Sequence, residues 1–370
     1  MRVNTLISIV LLSILPVLNG VSLAADRAYV QHNLVSDLPG EADLQDTNLV
    51  NAWGLAAGPL TPWWVANNKT GTSTLYNGTT GAKLSLEVNV PGSPTGLVFN
   101  GGSGFVVTDG VDSGAALFIF ASEDGTISGW SPGVPPPAPS HQAMVAVPID
   151  PARPAIYKGL AIASRPGGDF LYATNFLAAT VDVFDSSFKL VQTFTDPDLP
   201  EGYAPFGIQN LDGFIYVTYA LQDEDKEDDV AGHGHGFVDK FDTAGQLLQR
   251  VASRGRLNSP WGLALAPADF GEFSNHLLVG NFGDGRIHAF DPNHLNGKGE
   301  FQDRGALHGV HGGPIRIDGL WALAFGNGAS AGPTNTLFFT AGPSDEEHGL
   351  FGSLVPAPPH GHAPPPHGHH

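Results

Sequence analysis

The chain has 370 residues, of which 48 are Gly, 30 are Pro and only 14% are charged. A formal net charge of -19 with only 17 Lys and Arg excludes nucleic acid as an expected partner, because phosphate recognition needs clustered cations. The absence of Cys excludes a disulfide framework and thiol chemistry.

At the N-terminus, Arg2 precedes an apolar run from Leu6 to Leu18, and Ser22-Leu23-Ala24-Ala25 follows with the small-x-small pattern of a cleavage site. Residues 1–25 are read as a signal peptide, and the mature chain as a soluble bacterial protein that is secreted, periplasmic or at the cell surface. A membrane anchor is the other reading. The run is shorter than the ~20 apolar residues that a span needs, and no second span follows.

No long stretch shows apolar residues at helical spacing, so short strands between Gly and Pro turns are expected throughout. Ala28 to Val35 is a lone strand, followed by an acidic loop, Asp37 to Asp46. A phrase then recurs: Asn51-Ala52-Trp53-Gly54-Leu55-Ala56, Ser93-Pro94-Thr95-Gly96-Leu97, Tyr157-Lys158-Gly159-Leu160-Ala161, Ala204-Pro205-Phe206-Gly207-Ile208, Ser259-Pro260-Trp261-Gly262-Leu263-Ala264 and Gly319-Leu320-Trp321-Ala322-Leu323. Each copy is followed by an aromatic and β-branched run. The first unit reads as four strands, with Trp63–Asn67, Ser73–Asn77 and Leu84–Val88 after the opening phrase. In the second unit the expected strands are Thr95–Phe99, Gly104–Thr108 and Ala116–Phe120, with an outer turn and strand at 125–130 and a Pro-rich insertion at 132–139. Later units carry Phe170–Asn175 and Thr180–Asp185, Phe214–Tyr219 and Phe237–Asp242, His276–Asn281 and Arg286–Asp291, and Thr336–Thr340 with Gly349–Leu354. An acidic loop, 222–236, with His233 and His235, interrupts the fourth.

Six units of four short strands predict an all-β fold, a six-bladed β-propeller over residues 26–355. The sixth unit has only three strands, so the N-terminal strand is expected to close the ring as its outer strand and remove an open edge. The Gly of each phrase is expected where inner strands crowd the axis. Trp53, Trp261 and Trp321 are expected to wedge between blades.

These phrases resemble the NHL type of six-bladed propeller, in the matches Pro260/Gly262/Ala264 with Asn281, Gly159/Ala161 with Asn175, and Trp53/Gly54/Ala56 with Asn67. The opening Asn33-Leu34-Val35-Ser36-Asp37, with Asn51–Leu55 and Trp64–Asn68, is similar to a family of uncharacterised secreted bacterial proteins. The resemblance covers Tyr29 to Val355. It implies the fold and export but no reaction, and the Pro/His tail departs from the sorting anchor that such proteins carry.

Three candidate sites follow. Asn67, Asn175 and Asn281 each lie nine residues before a third-strand aromatic (Tyr76, Phe184, Phe290), with Asp109 and Tyr219 in the corresponding places of units two and four. Near one tunnel mouth, these oxygens are a candidate ring for Ca²⁺, which takes six to eight of them. The same residues equally suit Asx-turns at strand ends. His233, His235, His308 and His311 form a weaker signal. The tail, 356–370, is expected to be disordered, and its His360, His362, His367, His369 and His370 are candidate transition-metal ligands.

The expected function is a monomeric binding or surface-associated protein that holds a protein or small-molecule ligand at one tunnel face. The alternative is a metal-dependent hydrolase or lyase of the lactonase type, with the cation on the propeller axis.

Overall fold

The computed structural model describes residues 28–358 as six antiparallel blades in a ring, five of four strands and a sixth whose outer strand Ala28–Ser36 also takes on the short parallel strands Leu44–Gln45 and His308–Gly309. The innermost strands are Ala52–Ala56, Pro94–Phe99, Tyr157–Arg165, Tyr203–Leu211, Pro260–Leu265 and Leu320–Phe325. Among the described residues helix is almost absent, and none is long and apolar enough to cross a membrane. The expected signal peptide, 1–25, and the five tail His lie outside the described residues.

The ring closes as expected. Ala28–Ser36 pairs antiparallel with Leu350–Pro356, from Tyr29 opposite Pro356 to Ser36 opposite Leu350. The buried Tyr29 pins this strand: its hydroxyl donates to Phe270 O at 2.9 Å and accepts from Phe273 N at 3.1 Å. The tail begins later than Pro356, because Pro356 still belongs to this strand pair and Ala357 N donates to Ala28 O.

The second blade differs from the expected one. Its strands are Pro94–Phe99, Phe118–Ser122, Ile127–Trp130 and Met144–Val147. Val106–Thr108 is no blade strand; it pairs with Ser113–Ala115 in a separate two-stranded hairpin. Phe105, in the left-handed backbone region at φ 56°, turns the chain off the blade, where its N–H donates to Ser186 O. The hairpin carries the same short β-branched pattern as a true blade strand, so local sequence does not separate the two.

The inner strands meet the axis closely. A Cβ on Gly96 would clash with Leu160 N, and one on Gly207 with Trp261 O, each the backbone of the next blade. Only Gly permits this approach. Threonines bind neighbouring blades together there: Thr95 Oγ1 donates to Tyr157 O at 2.6 Å, and Thr174 Oγ1 to Phe206 O at 2.7 Å. The channel narrows to about 20 Å³ between Leu55, Leu97, Leu160, Ile208, Leu263 and Leu323.

At one end the channel is plugged. Trp53, Trp261 and Trp321 pack between neighbouring blades, Trp321 against both Trp53 and Trp261, and also reach across the axis. Trp321 stacks on Trp53 at 3.7 Å and on Phe282 at 4.0 Å, and meets Phe206 and Trp261 edge-on. Trp261 Nε1 donates to Lys158 O, across a blade that lies between. The residue two before each Trp (Asn51, Ser259 and Gly319) has positive φ, at 48°, 44° and 62°.

Candidate functional site at the plugged tunnel mouth

Above the aromatic plug lies a cleft of roughly 700 Å³. Its centre is Lys158, on the third blade's inner strand, with only 2% of its side chain exposed. Its ammonium donates to Glu123 at 2.6 Å and to Asp228 at 2.9 Å. It also lies 5.4 Å above the Trp53 ring, close enough for a cation–π contact. Glu123 follows the second blade's second strand, and Asp228 comes from the acidic loop of the fourth blade.

Asparagines from the first blade hold the carboxylates. Asn68 Nδ2 donates to Glu123 Oε2 at 2.8 Å, and Asn51 Nδ2 donates to Glu346 Oε2. Asn51 Oδ1 accepts from Trp321 Nε1 at 2.9 Å, which couples plug to cleft. Asp229, next in the chain to Asp228, is buried beside Ser259 and feels the charge of Lys158.

The electrostatics follow from this crowding. Burial pulls the Lys158 ammonium down, but the charges of Glu123 and Asp228 outweigh it and hold the group above the ordinary lysine value. Burial and the charge of Glu123 push Glu346 up to about 7, against the Asn51 hydrogen bond. Burial pushes Asp229 up to about 6, against Ser259 and Lys158. The mouth thus holds one fixed cation beside carboxyls that change charge near neutrality. Such perturbed groups in a cleft mark candidate functional sites.

The residues expected from sequence are not brought together as a cation ring. Asp109 sits at the exposed turn of the off-blade hairpin, where the N–H groups of Asp112 and Val111 hold its carboxyl below the usual range. Ser122, opposite Pro94, takes the register position assigned to it. Asn175 Oδ1 accepts from the N–H groups of Ala178 and Ile156, and Asn281 Oδ1 from Asn258 N. Both are strand-end caps. Asn67 Nδ2 donates to Thr72 and Thr74, while its Oδ1 is buried without a protein partner. Tyr219 is fully buried in the core between the third and fourth blades. These residues do not fit the Ca²⁺ ring, since one member is elsewhere, one is in a core and two have their oxygens occupied. Among the described residues, no three His, Asp or Glu side chains converge on a common metal position.

Sequence reasoning missed Lys158, Glu123, Asp228, Glu346, Asn51 and Asn68 as site residues. One signal was present. In the recurring phrase, the residue before the Gly or Ala is Trp53, Thr95, Phe206, Trp261 or Trp321 in five copies and Lys158 in the sixth. A lysine in a position otherwise taken mostly by aromatics of the axial plug points to a charge on the axis.

No family model matches the chain. Among solved structures, the fold is similar to a luciferin-regenerating enzyme (TM-score 0.52, 12% identity, covering 89% of this chain and 95% of that one). It is also similar to the PQQ-bound aldose sugar dehydrogenase of Streptomyces coelicolor (0.52, 14%, 89% and 98%) and to virginiamycin B lyase of Staphylococcus aureus (0.50, 12%, 89% and 99%). At these identities the likeness is one of fold alone. In sequence, the chain is 33% identical over 334 residues to uncharacterized protein R648 of Acanthamoeba polyphaga mimivirus, covering 87% of this chain and 78% of the relative. It is 33% identical over 323 residues to uncharacterized protein L690 of the same virus, covering 84% and 81%. These relatives are viral and give no support to the bacterial origin expected from the sequence. The chain belongs to one protein family with the mimivirus proteins R648 and L690.

Proposed function

We propose that the protein is an exported binding propeller, with NHL-like repeats, that holds a small ligand in the cleft around Lys158. One observation carries the reading: an ammonium almost wholly buried among carboxylates at the tunnel mouth. Desolvating such a charge costs several kcal/mol, and an apolar side chain there would extend the aromatic plug at no such cost. The cleft also has the size of small-molecule sites. Export is supported by the apolar run and small-x-small pattern of residues 1–25.

The plug makes a built-in reporter, because Trp53 lies under Lys158 and stacks on Trp321. Titration of a metabolite library against tryptophan fluorescence should find a ligand whose affinity changes at least about tenfold in Lys158→Met and in Glu346→Gln. A ligand indifferent to both substitutions would sink the reading.

One feature favours a lyase or hydrolase: Glu346 lines the cleft, and burial pushes its carboxyl up to about 7, where it can accept and return a proton. In that case Glu346→Gln abolishes turnover of the bound ligand while leaving measurable binding.

A further inference from the structure

We infer that the cleft around Lys158 takes an organic cation, an ammonium carried on an apolar body. The inference rests on the proposed reading of this mouth as a ligand site and adds the class of ligand.

The charge balance of the cleft points there. Five carboxyls line it (Glu123, Glu227, Asp228, Asp345 and Glu346) against two amines, Lys69 and Lys158. Lys69 is taken by Glu347 at 3.0 Å, and Lys158 by Glu123 and Asp228. Among the described residues, no cation pairs with Glu227, Asp345 or Glu346. The negative field is therefore only partly compensated.

Part of the lining is of another kind. Pro154, Ala155, Ile156 and Leu177 give it an apolar surface. A bare divalent ion would use neither this part nor most of the roughly 700 Å³. An alkylammonium would place its head among the carboxylates and its chain on the apolar part. Each charge-assisted hydrogen bond would then stabilise the complex, and the chain would bury apolar area.

The ammonium would also change the titration of the mouth. Glu346 faces Glu123, Asp228 and Lys158 and is bonded by Asn51. A cation binds its ionised form, so affinity rises as the pH passes upward through about 7.

The test is calorimetric titration of the full chain at low salt with hexylamine, sodium hexanoate and calcium chloride. Hexylamine is expected to bind at one equivalent, more tightly at pH 8 than at pH 6, and at least about tenfold more weakly in Glu346→Gln. The exposed Asp345→Asn should weaken it in the same direction, and thermal melts of both variants confirm that they fold. Hexanoate binding that is lost in Lys158→Met would overturn the inference and leave the mouth a ligand site for anions. Calcium binding in place of the amine would overturn it in favour of a metal. Failure of all three probes would overturn it as well. The proposed reading itself falls only if the library also yields no ligand sensitive to Lys158 or Glu346.

Discussion

Trp53 and Trp321 stack face to face at 3.7 Å, although 268 positions of sequence separate the recurring phrases that contain them (321 − 53). The pair exists only because the ring closes, which brings the sixth blade against the first. It closes the channel and supports the Lys158 cleft. Replacing Trp321 by Ala removes the stack, the Phe282 contact and the hydrogen bond to Asn51 Oδ1 together. Chemical denaturation should show a loss of about 3–5 kcal/mol, the range for large aromatic truncations in a core.

The close approach of inner strands predicts a second effect. Gly207→Ala places a methyl against the Trp261 backbone, which cannot swing aside as a side chain can. A destabilisation of at least about 1–3 kcal/mol is expected in urea melts. Gly133→Ala, in open space by comparison, should be nearly neutral.

Ring closure depends on the N-terminal strand. Tyr29→Phe leaves Phe270 O and Phe273 N without their hydroxyl partner in a buried site. The expected cost is about 1–3 kcal/mol. Hydrogen exchange should report faster opening at Val30 to Val35 than in the blades opposite.

Stability should fall with rising pH through a buried cluster in the fourth blade. Arg250 bridges Asp196 and Asp239, and burial pushes Asp239 up to about 8 against the pull of Arg250. A carboxyl that binds its proton more tightly when folded favours the folded state at low pH. That preference drains away between the unfolded value, about 4, and the folded one. Asp239→Asn, which stays neutral, should flatten the decline of melting temperature between pH 5 and pH 8. An unchanged slope would place the titration elsewhere.

The tail offers a separate chemical test. Residues 359–370 hold His360, His362, His367, His369 and His370. The intact protein is expected to take up Ni²⁺ or Cu²⁺, and the chain ending at Pro358 to lose that uptake. Elemental mass spectrometry after desalting reads the difference, and retained uptake would move the metal site onto the propeller.

The architecture was legible in the sequence because its signals are local. Aromatic and β-branched runs and turn residues mark the blades, and the missing outer strand of the sixth unit points to Ala28–Ser36 as the closing strand. The second blade was misread because Val106–Val107–Thr108 looks like a blade strand, and only Phe105's turn away shows otherwise. That one shift carried Asp109 into the expected cation ring. The mouth itself was hidden for a different reason. Asn51, Glu123, Lys158, Asp228 and Glu346 lie in five different blades or blade loops and meet only at the axis. No spacing along the chain records such a meeting. Lys158 alone left a trace, as the one charged residue in the position before the inner-strand Gly or Ala.

The central claim is that the Lys158–Glu346 mouth, and not the off-blade Asp109, is the functional site. Side-by-side calorimetry of the unmodified chain, Glu346→Gln and Asp109→Ala with hexylamine tests it most directly. The expected result is binding that survives Asp109→Ala unchanged and weakens at least about tenfold in Glu346→Gln. Binding that is lost in Asp109→Ala and intact in Glu346→Gln would contradict it.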